Sequence, residues 1–173
     1  MQYIFTPAAE RALGWASEWA GCAGSDEMDL ESLVIGLLSE PECRAAVMLA
    51  RHGVDIPAVQ QHWPELRRNL PNPPRCNGGA SNNTAAPQEG ALPRKPFSFE
   101  VECSLRAALD RLNFLPQPVE LATEHLLLGL VAEGHEVSLW LRQQGLDSVV
   151  IEAEIRKLYG FEIQEEKGLG IGD

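Results

Sequence analysis

The sequence is short of the features that mark several whole classes of protein. Cations are outnumbered: 14 Lys and Arg stand against 25 Asp and Glu, for a formal net charge of −11. An acidic surface of this kind repels phosphate backbones and anionic headgroups, which argues against nucleic acid or a membrane as partner. Aromatic residues make up 6% of the chain, too few for a base-stacking platform. No apolar run approaches the roughly 20 residues needed to span a bilayer. The segment Met1–Phe5 has neither the basic start nor the long apolar stretch of a signal peptide. Cys22, Cys43, Cys76 and Cys103 form no CxxC pair. Without a secretion signal they are read as reduced thiols, and the expected location is cytoplasmic.

Catalytic and cofactor motifs are absent as well. No G-x-x-x-x-G-K-[ST] occurs, so no P-loop engine is encoded. Gly168-Leu169-Gly170-Ile171-Gly172 has no strand before it or helix after it and reads as tail. His52, His62, His125 and His135 lack the spacing of a zinc site, and neither a metal nor a cofactor is expected. A thiol enzyme needs a pairing such as Cys103 with His125, which only folding could bring together. Cysteines on apolar helix faces are usually inert small hydrophobes. The expectation is a protein that is not an enzyme, with the thiol enzyme kept as an alternative.

With 45% hydrophobic residues over 173 positions, the chain has enough material for a packed core. Composition breaks sharply after Leu70. Pro71 to Pro96 carries six prolines and no apolar period. Such a segment buries too little to offset its ordering entropy and is expected to be a flexible linker. The chain then divides into a first unit (1–70), the linker (71–96), a second unit (97–160) and a flexible tail (161–173).

The two units match each other. Phe5-Thr6 and Phe97-Ser98 stand 97 − 5 = 92 residues apart, and at that offset Glu10, Leu13 and Ala16 meet Glu102, Leu105 and Ala108. Glu31-Ser32-Leu33-Val34-Ile35-Gly36-Leu37 aligns with Glu124-His125-Leu126-Leu127-Leu128-Gly129-Leu130, one step out. Leu49 to Asp55 aligns with Leu141 to Asp147, back at 92. Agreement in three segments, in order, indicates internal duplication.

Each unit reads as four helices. Thr6 and Ser98 cap the first, with Pro7 at the opening position of the earlier one. The second opens near Asp29 or Thr123 and is apolar almost all round, which places it in the middle of a bundle. Its central glycine, Gly36 or Gly129, allows a neighbouring helix close. The third ends at Gly53 or Gly145, suited to a left-handed cap. The fourth follows Asp55 or Asp147, and Pro64 cuts the earlier one short. No segment alternates as a strand. Trp15, Trp19, Trp63 and Trp140 are assigned to packing, with Trp140 a candidate wall of a peptide groove. The expected fold is all-α, two four-helix repeats about a pseudo-two-fold axis.

Phe-Thr/Ser, an amphipathic helix, Thr123-Glu124-His125-Leu126-Leu127-Leu128-Gly129-Leu130, a short helix and Gly-(Val/Leu)-Asp together resemble the duplicated Clp N-terminal domain. This Clp repeat domain stands at the front of ClpA-, ClpB- and ClpC-type AAA+ unfoldases. The resemblance spans about 130 residues. It departs from the family in its longer linker and in the first repeat, where Leu30 and Ser32 replace the threonine and histidine.

The resemblance implies a non-catalytic module that binds proteins or peptides and recruits substrates and adaptors to a Clp ring, in regulated proteolysis or chaperone delivery. In the ClpC-like branch it further implies a small site for phosphorylated arginine. By position, that site falls on Glu124 and Thr123, with Glu31 and His125 as further binding candidates. A carboxylate accepts from the guanidinium while helix N–H groups and a hydroxyl meet the phosphoryl oxygens. The plain alternatives are that Thr123 and Glu124 only cap and favour a helix start, and that the whole is a structural helical adaptor.

Overall fold

The computed structural model describes residues 3–67 and 95–161. Nearly all of the expected linker and of the expected tail therefore lies outside the described residues. What is described is mostly helix: β1 (Ile4–Phe5), α1 (Pro7–Cys22), α2 (Leu30–Leu38), α3 (Arg44–Arg51), α4 (Ile56–His62), a 3₁₀ turn (Pro64–Arg67), α5 (Phe99–Arg111), β2 (Glu120–Leu121), α6 (Thr123–Ala132), α7 (Glu136–Gln143) and α8 (Ser148–Leu158).

The helix starts follow from side chains that hold the orphan N–H groups. Thr6 accepts from the Ala9 amide, Asp29 from Ser32, Ser98 from Val101, Asp55 from Ala58 and Asp147 from Val150. Two further caps carry no signal in the sequence analysis: the Cys43 thiol opens α3 and the His135 ring opens α7. The ends follow as well. Gly53 and Gly145 take φ of +73° and +87°, a conformation that would strain a side chain. Past His62, Pro64 turns the chain into 3₁₀ geometry.

Thr123 differs from expectation. The N-cap of α6 is Ala122, whose N–H is taken by Nδ1 of His125 at 3.0 Å; Thr123 is already the first helical residue. Its hydroxyl is thereby free to face another helix. A second difference is extended structure. Ile4 pairs with Glu120 and Phe5 with Leu121 in parallel, and Met28 makes an isolated parallel bridge to Phe97. Two-residue strands are too short to alternate, so no periodic signal announces them.

One continuous apolar cluster runs through residues from α1 to α8. The two apolar helices lie inside it: Thr123 through Val131 of α6 are all buried, as are Leu30 and Ser32 through Leu37 of α2. α6 touches α1, α2, α3, α5, α7 and α8. The glycines explain how the helices approach. A Cβ on Gly36 would stand 2.5 Å from the Ala12 carbonyl oxygen, and one on Gly129 would run into the Ser104 carbonyl. No described helix is long and apolar enough to cross a membrane.

Candidate functional site

The sequence candidates do not gather at one place. Glu124, Thr123 and His125 open α6 and are almost wholly buried, at 2%, 2% and 0% exposure. Glu31 is half-buried at the start of α2.

The α6 start faces the start of α3. The Ala45 amide points to Oγ1 of Thr123 at 3.5 Å, and Nη1 of Arg44 lies 3.2 Å from Oε1 of Glu124. The Thr123 hydroxyl also donates to Oε2 of Glu124 at 3.4 Å. The starts of two helices, each carrying partial positive charge, thus meet at the Thr123 hydroxyl, with the Glu124 carboxylate beside it. Arg44 balances Glu124 with a guanidinium, the donor whose planar fork suits a carboxylate. No signal in the sequence marked Arg44, because its partner is 80 positions away.

His125 completes the wall. Its Nδ1 is spent on Ala122, its ring stacks on Tyr159 with centroids 5.9 Å apart, and its Nε2 is buried without a hydrogen-bond partner among the described residues. Burial pushes its pKa below the ordinary value and Arg44 adds to this, while Glu124 and the Glu120 backbone oppose. Burial likewise raises the pKa of Tyr159, with help from Glu124.

The sign for stability follows. Above the ordinary histidine pKa, both folded and unfolded chains carry a neutral ring, and the site loses nothing. As pH falls through that value, the unfolded chain takes up its proton first. Native stability therefore declines until the buried ring itself charges. His125→Gln keeps an acceptor able to reach back to the Ala122 N–H and removes the titration. Urea midpoints measured between neutral and mildly acidic pH are expected to fall less steeply for His125→Gln than for the parent chain. Equal slopes would remove His125 as a source of acid sensitivity.

Glu31 has a different setting. Burial raises its carboxyl pKa, a backbone hydrogen bond opposes this, and Asp29, Glu136 and Glu65 raise it further. Where Glu124 meets a guanidinium, Glu31 meets other acids.

The alternative thiol chemistry finds no assembled pair among the described residues. Neither ring nitrogen of His125 bonds a described thiol. Cys103 lies instead in a surface groove of about 390 Å³ with Arg106, Asp110, Arg111 and Glu133. Burial raises the pKa of the Cys43 thiol, away from that of a nucleophile. His135 bonds the Ser138 amide and Ser104 rather than His125, and no described group of acids, cysteines and histidines could hold a metal.

Trp140 is packed rather than open. It is 8% exposed, lies beneath the His62 ring at 5.3 Å and meets Trp63 edge-on at 5.0 Å. Neither a protein-family model nor a curated protein matches this chain.

Proposed function

We propose that this chain is a non-catalytic protein- or peptide-binding module of the Clp N-domain kind, built from two four-helix repeats and recruiting substrates or adaptors to a Clp-type ring. Several contacts support the duplication. At the offset of 92, Phe5 corresponds to Phe97 and His52 to Gln144. The two phenylalanines touch edge-on at 6.3 Å, and Nδ1 of His52 lies 3.1 Å from the Gln144 carbonyl. Residues that contact their own counterparts are what an internal two-fold produces near its axis. The extended pairs agree: Phe5 with Leu121 corresponds to Phe97 with Met28, where 121 − 93 = 28. The donation from Thr6 N to Leu121 O matches that from Ser98 N to Met28 O.

The observation that carries the binding reading is the guanidinium on Glu124 where the starts of α3 and α6 meet. It is the chemistry that receives an arginine side chain, with amides and Thr123 beside it for the oxygens of a phosphorylated one. Among the described residues Cys43 is buried and no thiol bonds a histidine, which favours this reading over the thiol enzyme.

Binding should be asymmetric. Glu124→Gln is expected to weaken a phosphoarginine-bearing peptide at least tenfold, about 1.4 kcal/mol, since it removes a charge-assisted bond. Glu31→Gln should change it less than threefold, because Leu30 supplies no hydroxyl and the acids around Glu31 repel a phosphoryl group. Fluorescence anisotropy with that peptide and with an unfolded client peptide is the measurement, and circular dichroism should report unchanged helicity. Failure of the parent chain to bind either peptide would overturn the reading.

A further inference from the structure

Glu124 and Arg44 are unequal partners. The Glu124 side chain keeps 3% of its exposure and the Arg44 side chain 54%. Thr123, the other group on this carboxylate, is buried and fixed in the first turn of α6. Of the two described side chains bonded to Glu124, Arg44 is therefore the one able to leave. A guanidinium arriving from outside can reach the carboxylate only if Arg44 gives way.

We propose that Arg44 is a built-in occupant of this site, an intramolecular arginine that a ligand's guanidinium must displace. The proposal rests on the peptide-binding reading above. Displacement is an exchange of like for like: one guanidinium replaces another, while the Thr123 hydroxyl remains on the carboxylate. Arg44 itself is rooted at the first position of α3, beside the site, so its charge stays close after release. For a phosphorylated arginine that charge has a new partner, because a guanidinium matches phosphoryl oxygens with two parallel bonds. For an unmodified arginine it has none. Arg44 thus acts against unmodified arginine and leaves the phosphorylated form the better ligand.

Arg44→Gln should tighten a peptide bearing unmodified arginine about three- to tenfold, as expected where the site is self-occupied in about 70–90% of molecules. The phosphoarginine peptide should gain nothing, so its preference should shrink by the same factor. Unchanged or weaker binding of the unmodified peptide would overturn the proposal. If the parent chain still binds the phosphoarginine peptide in that case, the peptide-binding reading stands without it. If neither chain binds either peptide, both fall. A second measurement needs no variant. In the parent chain, the Nε–Hε resonance of Arg44 should move as phosphoarginine peptide saturates the site, and a resonance that stays in place at saturation would overturn the proposal.

Discussion

Replacing Trp63 with alanine is expected to destabilise the protein by about 3–5 kcal/mol, the usual cost of deleting a buried tryptophan. The residue is 4% exposed and ends α4, where its ring meets Trp140 of α7 at an interplanar angle of 76°. His62 lies against both indoles, with centroids 4.4 Å from Trp63 and 5.3 Å from Trp140. Its Nε2 also stands 3.8 Å from Glu136 at the start of α7. These rings join the first four helices to the last four, so truncating one opens a void on a seam that both sides line. A domain of ordinary stability, about 5–15 kcal/mol, would lose a large share of it. Urea unfolding followed by far-ultraviolet circular dichroism is the measurement. The double variant Trp63→Ala/Trp140→Ala should lose less than the sum of the single losses, since edge-on aromatic pairs contribute about 0.5–1.5 kcal/mol beyond their area. A loss below about 1 kcal/mol for Trp63→Ala would show that these rings do not carry the seam.

Gly129→Ala is the second large effect, and its sign depends on two opposed terms. Alanine favours a helix over glycine by about 1 kcal/mol. Against this, the new methyl would overlap the Ser104 carbonyl and come within 3.3 Å of the Ala108 Cβ. The obstacle is backbone of a neighbouring helix, so α5 as a whole would have to shift, and overpacking of this kind costs about 1–3 kcal/mol, occasionally more. The obstacle being backbone, the clash wins, and a net loss of up to about 2 kcal/mol is expected. Valine at the same position should cost more still. Gly36→Ala should behave alike, because its Cβ would meet the Ala12 carbonyl oxygen at 2.5 Å and the Ala16 amide nitrogen at 2.8 Å. Stabilisation of either alanine variant in thermal melts would mean that α1–α2 and α5–α6 are free to separate.

The pair of glycines also shows what a sequence carries well. A lone glycine inside an otherwise apolar helix has a local cost, and the helix keeps it only where a neighbour needs the room. Caps are equally readable, because a threonine, serine or aspartate binds an amide three residues ahead and needs nothing distant. Thr6, Ser98, Asp29, Asp55 and Asp147 are of this kind. The α6 start was misread for the complementary reason. Threonine has the right chemistry for a cap, but His125 takes that task through Ala122, and this choice depends on where the ring is buried.

The sequence by itself determined a mostly helical chain, the helix boundaries near their caps and glycines, and the two apolar helices of the interior. Those properties come from side chains acting within one or two turns, or from a period along one helix. The tertiary structure decided which helix ends meet. The convergence of α3 with α6 brought Arg44 onto Glu124, hid His125 under Tyr159 and left Glu31 among Asp29, Glu65 and Glu136. Both glutamates stand at the second position of an apolar helix and look alike as text. Their chemistry diverges because packing across the core sets the Arg44 guanidinium at the start of α3 on Glu124, whereas the charges that act on Glu31 are those of Asp29, Glu136 and Glu65.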